Sequence, residues 1–373
     1  MNAPLAKLQQ IPASIASVAD YEPFARERVS EQAWAYVAGG AADEWTLREN
    51  CAAFQRLTLH SIVLRDLSGG NTRLTLFGQT FASPIFLAPV AYQKLVHPDG
   101  ELATVLAASA AQACMVVSTQ ASVSLEEIAG QAKSPLWFQL YFQPDREFTR
   151  DLVMRAETAG YKAIVVTVDA PVSGIRNREQ RAGFSLPPGV EAVNLRGMRI
   201  PSLQGSQVGD GILLGGSLLA TAPTWQDIAW LRSFTSLPIV IKGIMTAHDA
   251  SRAVSEGIDG IIISNHGGRT LDTQPSAIDM LPEIAQAVAG CLPLLLDGGI
   301  RRGSDAFKAL ALGATAVLVG RPYMYGLAAA GAVGVAHVLH ILRAELEVTM
   351  ALTGSRDLEA ITNSPVRRAP GSA

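Results

Sequence analysis

The chain has 373 residues, 49% of them hydrophobic and 17% charged, so it can bury a large core and shows no compositional sign of disorder. Its formal net charge of -3 gives no electrostatic reason to expect a nucleic-acid partner. The three cysteines are widely spaced and follow no metal-ligand pattern, which predicts free thiols, no metal centre and a cytoplasmic location.

Apolar stretches occur along the chain, but none indicates export or membrane insertion. Met1 to Asp20 lacks the basic start and continuous apolar run of a signal peptide. Leu102 to Val117 and Leu327 to Leu342 are rich in alanine and interrupted by polar residues, so neither is an unbroken span of about 20 apolar residues. We expect buried helices there and no membrane partner.

Short apolar runs recur along the chain with helix-like segments between them, the pattern of repeated βα units. Eight runs are predicted strands: Ile85 to Pro89, Met115 to Thr119, Trp137 to Tyr141, Ala163 to Asp169, Ile239 to Gly243, Gly260 to Ser264, Pro293 to Gly299 and Ala316 to Arg321. Eight such units predict an α/β fold, the (β/α)8 TIM barrel. We expect one domain over residues 1–373, with a helical preface at 1–80 and the barrel at 81–373.

The segments between the predicted strands carry helix start and stop signals. Ser124 to Glu127 and Thr224 to Asp227 have capping-box patterns, and Gly160 and Gly257 end helices just before the next strand. The connection between the fourth and fifth strands is much longer than the others and rich in Gly, Ser and Pro. It predicts a lid over the active site at about residues 186–223.

Polar residues lie at the C-terminal ends of the predicted strands, where barrel enzymes build their active sites. In chain order they and their neighbours are Ala88-Pro89-Val90-Ala91, Ser118, Gln139 with Tyr141, Thr167 with Asp169, Lys242, Ser264 with His266 and Arg269, Asp297 with Arg301, and Gly320 with Arg321. The last two strand ends also hold Gly298 and Gly299 and are basic, which predicts a phosphate site.

Lys242 and His266 carry the chemistry that the pattern suggests. Lys242 ends an apolar strand and needs an anion, a Schiff-base partner or an electron-rich ring beside it. In Ser264-Asn-His-Gly-Gly-Arg269 an imidazole base and a carboxylate-binding guanidinium can face one substrate, with Asp169 orienting the imidazole. The other five histidines lack such a setting.

Together these motifs resemble the FMN-dependent 2-hydroxy-acid oxidase and dehydrogenase family, over about Tyr21 to Ile361. Its most specific element is Ser264 to Arg269 followed by Leu271-Asp272, supported by Phe138 to Tyr141, Thr167 to Asp169 and Asp297 to Gly299. The resemblance implies FMN as cofactor and oxidation of an (S)-2-hydroxy acid to a 2-oxo acid, with oxygen as acceptor and hydrogen peroxide as product. It also implies a homotetramer.

The resemblance also implies roles for individual residues. His266 would be the catalytic base with Asp169 as its partner, and Lys242 would stabilise charge on the reduced flavin. Tyr36, Tyr141, Arg176 and Arg269 would bind the substrate. FMN would be held by Ala88, Pro89, Val90, Ala91, Ser118, Gln139, Thr167, Lys242, Ser264, Asp297, Gly298, Gly299, Arg301, Gly320 and Arg321.

Departures from the family pattern bear on the substrate. Thr270 stands where the family commonly has glutamine, and Tyr92, Gln120 and Ser173 replace residues of the glycolate-oxidase pocket. These changes suggest a larger, aromatic acid such as mandelate or 4-hydroxymandelate.

Three alternative functions stay open at this stage. One is a dehydrogenase that uses a quinone or cytochrome, for which the short apolar segment Gly211 to Ala220 is the one candidate membrane contact. The second is a flavin-free lyase with Lys242 as Schiff base, and the third is an inactive flavin-binding protein.

Overall fold

The computed structural model describes residues 3–198, 219, 222–362, 364 and 366–368. Its strands are β1 (Leu57–Leu59), β2 (Leu74–Leu76), β3 (Gln79–Phe81), β4 (Ile85–Leu87), β5 (Met115–Ser118), β6 (Leu136–Leu140), β7 (Ile164–Thr167), β8 (Ile239–Ile244), β9 (Gly260–Ile263), β10 (Leu294–Asp297), β11 (Ala316–Val319) and β12 (Val366–Arg368). Strands β4 to β11 form a closed parallel barrel in the order β10-β11-β4-β5-β6-β7-β8-β9. The predicted (β/α)8 barrel is confirmed, and each of the eight predicted runs overlaps one barrel strand.

Helices alternate with the barrel strands, and three precede the barrel. They are α1 (Tyr21–Arg26), α2 (Glu31–Ala38), α3 (Trp45–Gln55), α4 (Glu101–Ala110), α5 (Leu125–Gln131), α6 (Arg146–Thr158), α7 (Asn177–Arg181), α8 (Trp225–Arg232), α9 (Ala247–Ser255), α10 (Ala277–Val288), α11 (Gly303–Ala311), α12 (Arg321–Leu352) and α13 (Leu358–Thr362). The predicted start signals are present, because Ser124 Oγ accepts from Glu127 N at 3.2 Å and Thr224 with Asp227 forms a capping box.

Side chains of the barrel strands alternate between two packed cores, as the period of two in a β-strand requires. On β7, Val165 belongs to a core inside the barrel, whereas Ile164 and Val166 belong to the core shared with the helices. At mid-height the inner core is filled by one apolar side chain from each barrel strand: Phe86, Val116, Trp137, Val165, Val240, Ile262, Leu295 and Leu318. The barrel interior is therefore solid at this level and offers no channel.

An antiparallel hairpin, β2 with β3, covers the N-terminal end of the barrel. Its Leu74, Leu76 and Phe81 join the inner core, and Trp137 Nε1 donates to Gln79 Oε1 at 3.2 Å. The prediction of a purely helical preface over residues 1–80 is thus wrong for β1, β2 and the start of β3. These three-residue strands are not continuous apolar runs and are too short to show a period of two, so the sequence did not indicate them.

The apolar helix α12 has the length and composition of a membrane-spanning helix, but 67% of its most apolar stretch of 18 residues is buried inside the protein. It is two helices that meet at Ala330 and Gly331, whose backbone angles are not helical. At Gly331 φ is +59°, and a Cβ would lie 2.8 Å from His97 Nε2, so a larger residue does not fit there. The burial agrees with the predicted core helix.

Part of the predicted lid lies outside the described residues. Of residues 186–223, the structure describes 186–198, 219 and 222–223. The apolar segment Gly211 to Ala220 likewise lies outside them, except for Leu219. The rest of the long connection includes α7, which follows β7 and approaches the C-terminal end of the barrel.

Candidate active site

The polar residues at the C-terminal ends of the strands point into the barrel, because on each strand they continue the row of inward-facing side chains. Each lies two positions after an inner-core residue of the same strand, and alternation places both on one face. The row members at the C-terminal end are Ala88, Ser118, Gln139, Thr167, Lys242, Ser264, Asp297 and Gly320. The fold therefore gathers them into one ring above the apolar core.

Hydrogen bonds link this ring into two groups. In the first, Gln139 Nε2 donates to Thr167 Oγ1 at 3.0 Å and Ser118 Oγ donates to Gln139 Oε1 at 3.3 Å. In the second, Ser264 Oγ accepts from Lys242 Nζ at 2.7 Å and donates to Asp297 Oδ1 at 2.6 Å. These side chains hold one another in place, which is what a preorganised binding surface needs.

Lys242 is a buried cation with carboxylate partners. Its Nζ lies 3.0 Å from Asp297 Oδ2, and both side chains are less than one-tenth exposed. Burial alone would lower the pKa of Lys242, but the carboxylates of Asp297 and Asp169 outweigh burial and raise it above 10.5. The ammonium is therefore charged at neutral pH and is not a free amine nucleophile.

His266 is paired with Asp169, as the sequence predicted. The distance from His266 Nδ1 to Asp169 Oδ1 is 2.7 Å. Because an ionised carboxylate can only accept, Nδ1 carries the hydrogen and the lone pair is on Nε2. Burial is the main cause that lowers the pKa of His266 below 6.5, although Asp169 acts in the opposite direction. The imidazole is thus neutral at neutral pH and ready to accept a proton.

Asp169 is ionised and closely packed. Burial opposes ionisation of this carboxyl, but His266 and Lys242 outweigh burial and lower the pKa of Asp169. Its approach to the barrel depends on Gly243, which sits at a register shift of β8 with φ of +115°. A Cβ at this glycine would lie 2.5 Å from Asp169 Cβ, so any other residue would displace the carboxylate.

Two guanidinium groups, those of Arg176 and Arg269, line the same cavity as the ring. Arg269 Nη1 donates to the carbonyls of Tyr36 and Gly39 at 2.6 and 2.8 Å, and its guanidinium stacks over the Tyr36 ring at 5.0 Å. Burial lowers the pKa of Arg176 to about 10, and the charge of Arg269 lowers it further in the same direction. Burial likewise raises the pKa of Tyr36 to about 12 and that of Tyr141 above its usual range, so both hydroxyls keep their hydrogens. The four side chains provide donors for a carboxylate.

The ends of β10 and β11 form the glycine-rich, basic side that the sequence predicted. Gly299 has φ of +87°, and a Cβ there would lie 2.0 Å from the carbonyl oxygen of Asn50. Arg321 donates through Nη1 and Nη2 to the carbonyls of Gly267 and Gly39, but its buried Nε has no partner in the part of the chain that the structure describes. Burial, and then Arg269, lower the pKa of Arg321 to about 9. A bound anion would relieve this uncompensated charge.

Nearly all predicted site residues line one cavity of about 640 Å³ at this end of the barrel. Two do not line it. Asp169 lies behind His266, and Ser264 lies between Lys242 and Asp297, so Ser264 acts on the cavity through these neighbours. The four positions that depart from the family pattern, Tyr92, Gln120, Ser173 and Thr270, all line the cavity.

Sequence reasoning missed Glu179, which lines the cavity and forms ion pairs with both Arg176 and Arg269. A signal was present, since Glu179 follows Arg176 by three residues, the spacing of helical ion pairs. Phe184, whose ring stacks on Tyr36 at 4.9 Å, was missed because an isolated aromatic residue in a loop gives no pattern.

Comparisons with known proteins agree with this geometry. The model of a family described as FMN-dependent dehydrogenase matches residues 25–368. An L-lactate oxidase of Nostoc sp. is 48% identical over 353 residues, which are 92% of this chain and 96% of that protein. Glycolate oxidase 1 of Zea mays is 44% identical over 94% of this chain and 95% of its own. A crystal structure of mandelate oxidase with benzoyl-formic acid superposes with a TM-score of 0.87 at 42% identity, covering 95% of this chain and 99% of its own.

Proposed function

The chain belongs to the family of FMN-dependent dehydrogenases, and we propose that it oxidises an (S)-2-hydroxy acid to the 2-oxo acid and passes the electrons to oxygen, forming hydrogen peroxide. One observation carries the proposal. A neutral imidazole held by Asp169 and two carboxylate-binding guanidiniums, Arg176 and Arg269, face the same cavity above the ring that contains Lys242. A base and an anion clamp in one cavity are what oxidation of a 2-hydroxy acid requires.

The residues of the cavity fit FMN. The buried Arg321 with its unpartnered Nε, next to the glycine turn at Gly298 and Gly299, suits a phosphate. The amide of Gln139 and the hydroxyls of Ser118 and Thr167 suit a ring system with alternating donors and acceptors. When bound, FMN accepts the two electrons that the substrate loses.

The protein's own side chains orient the substrate and move its proton. Arg176 and Arg269 bind the carboxylate, and the hydroxyls of Tyr36 and Tyr141 donate to the bound acid. Nε2 of His266 accepts the proton that the substrate loses, and Asp169 stabilises the resulting imidazolium through Nδ1. Lys242 keeps a fixed positive charge at the base of the cavity.

Oxygen uptake and peroxide release, measured with a series of 2-hydroxy acids, test the proposal. We expect a yellow protein whose oxygen consumption and peroxide formation are equal. Turnover with an artificial acceptor but not with oxygen would instead assign it to the dehydrogenases. A colourless active protein would favour the Schiff-base lyase, which the ion pair between Lys242 and Asp297 disfavours because a charged ammonium is not nucleophilic.

The pH dependence of kcat/KM reports the protonation of His266. Because the pKa of His266 is lowered from 6.5, the imidazole stays neutral until the pH falls below that value. We expect kcat/KM to be constant from neutral pH down to about 6.5 and to fall roughly tenfold per pH unit below the lowered pKa. A loss of activity that begins well above pH 6.5 would contradict the assignment of His266 as base.

We also propose that the substrate carries an aromatic side chain, as in mandelate or 4-hydroxymandelate. Tyr92 lies edge-on to Tyr36 with ring centroids 6.0 Å apart, which offers aromatic contacts to a substrate ring. Replacing Tyr92 with leucine should lower kcat/KM for mandelate about two- to tenfold more than for glycolate, because aromatic contacts contribute about 0.5–1.5 kcal/mol. An equal effect on both acids would argue against an aromatic substrate.

A cytoplasmic homotetramer is likewise part of the proposal. The three cysteines are free thiols, which fits a reducing compartment. Light scattering coupled to size-exclusion chromatography measures the oligomeric state directly.

A further inference from the structure

Glu179 places a carboxylate between the two guanidinium groups that are to bind the substrate. Its Oε1 lies 3.5 Å from Arg176 Nη1 and 3.2 Å from Arg269 Nη2. The side chain of Glu179 is 15% exposed and those of the two arginines are 19% and 17% exposed. This ion triplet therefore forms part of the cavity wall and is not a solvated surface network.

The two arginines need an anion beside them. Two like charges repel one another in a partly buried site, and Arg176 Nε is buried with no partner among the described residues. Arg269 already uses Nη1 on backbone carbonyls, so Nη2 is the side that turns to Glu179. One carboxylate between two guanidiniums leaves a net charge of +1 (two positive, one negative).

We propose that Glu179 is a positioning and selectivity residue, which holds the two guanidiniums together and adjusts the site to acids with a single negative charge. A monocarboxylate neutralises the remaining charge of the clamp. A dicarboxylate brings a second negative charge close to Glu179, where it is repelled. The inference rests on the proposed function, since it deepens the role of the same carboxylate clamp.

A purely structural role for Glu179 would give a different result from a role in selectivity. If the side chain only fixed α7 in place, its replacement would weaken binding of every anion by a similar factor. If its charge sets selectivity, replacement with the isosteric glutamine changes the preference between acids of different charge. The ratio of two dissociation constants separates these cases.

Malonate and its monoamide, malonamate, are a suitable pair of ligands, since they match in shape and differ by one charge at about pH 8. Neither has a 2-hydroxyl group to oxidise, so binding to the FMN-loaded protein is read from the change in its visible absorbance. In the wild type we expect malonate to bind no more than about threefold more tightly than malonamate. In Glu179→Gln we expect the preference for malonate to rise by roughly tenfold. Glu179→Asp, which retains the charge, should keep the wild-type ratio.

Glu44→Gln is the matched control. Glu44 also forms an ion pair with an arginine of the same segment, Arg178, but does not line the cavity. This variant should leave the ratio of dissociation constants unchanged. An unchanged ratio in Glu179→Gln would overturn the inference. If that variant does not fold, a wild-type protein that binds malonate more than about threefold more tightly than malonamate would overturn it equally.

A failure of the inference about Glu179 can be distinguished from a failure of the proposed function. If no 2-hydroxy acid reduces the flavin of the wild type, the proposed function fails, whereas the two dissociation constants can still be measured. If 2-hydroxy acids reduce the flavin and the ratio does not change in Glu179→Gln, the function stands and the selectivity role of Glu179 is wrong.

Discussion

Replacing His266 with alanine is expected to slow reduction of the flavin by a 2-hydroxy acid by about 10²- to 10⁴-fold, the usual contribution of a positioned general base. The imidazole is the neutral base that faces the cavity, and its Nδ1 is held by Asp169 at 2.7 Å. The protein should remain folded and yellow, because His266 contributes one side chain to a cavity with many other contacts. Anaerobic stopped-flow absorbance measures the rate without involving oxygen.

His248→Ala is the control for this experiment. His248 lies exposed on α9, away from the cavity, so its loss should leave the rate unchanged. Asp169→Asn tests the second member of the pair. The variant loses the charge that stabilises the imidazolium, so we expect a slower rate and a further fall in the pKa of His266. A His266→Ala protein that reduces its flavin at the wild-type rate would remove His266 from the mechanism.

The barrel and its ring of polar residues could be predicted from two regular patterns: the repeat of apolar strands along the chain and the alternation of side chains within each strand. Apolar strands of three to six residues mark the barrel, and the residue that follows the last apolar residue of an inward-facing row faces the cavity. Gln139, Lys242 and Asp297 are polar in otherwise apolar strands, so the sequence alone marks them. The same reasoning could not separate residues that line the cavity from those one layer behind, and Ser264 belongs to the second group.

The sequence could not predict features that depend on contacts between distant segments of the chain. The hairpin β2–β3 closes the barrel through Phe81 and Phe86, whose ring centroids are 4.6 Å apart, and no local pattern records this contact. The close approach of Glu179 to Arg269 joins residues 90 positions apart in the chain. The interruption of α12 lies at Gly331, where a Cβ would meet His97, and a composition suited to one helix gave no sign of it.

Replacing Lys242 with methionine is expected to lower the free energy of unfolding by about 3–5 kcal/mol, the usual loss when one partner of a buried ion pair is removed. Methionine fills most of the same volume, so the loss arises mainly from Asp297, which stays buried without its cation. Adding Asp297→Asn should recover part of the stability, because the amide removes the uncompensated charge. Arg343→Met, which breaks the exposed pair with Glu347, is the control and should cost less than about 1 kcal/mol.

The measurement must separate loss of the ion pair from weaker flavin binding, since either change in Lys242→Met would destabilise the protein. Any ligand that binds only the folded state stabilises it by an amount that rises with the logarithm of its free concentration. Denaturant unfolding at two FMN concentrations therefore distinguishes the causes. If the loss is due to the bare carboxylate of Asp297, the difference between Lys242→Met and wild type should already be present at the lower concentration, with no FMN bound. A difference that is absent without FMN and appears only when FMN is added would mean that Lys242 acts on stability only through the flavin, and that Ser264 alone suffices to hold Asp297.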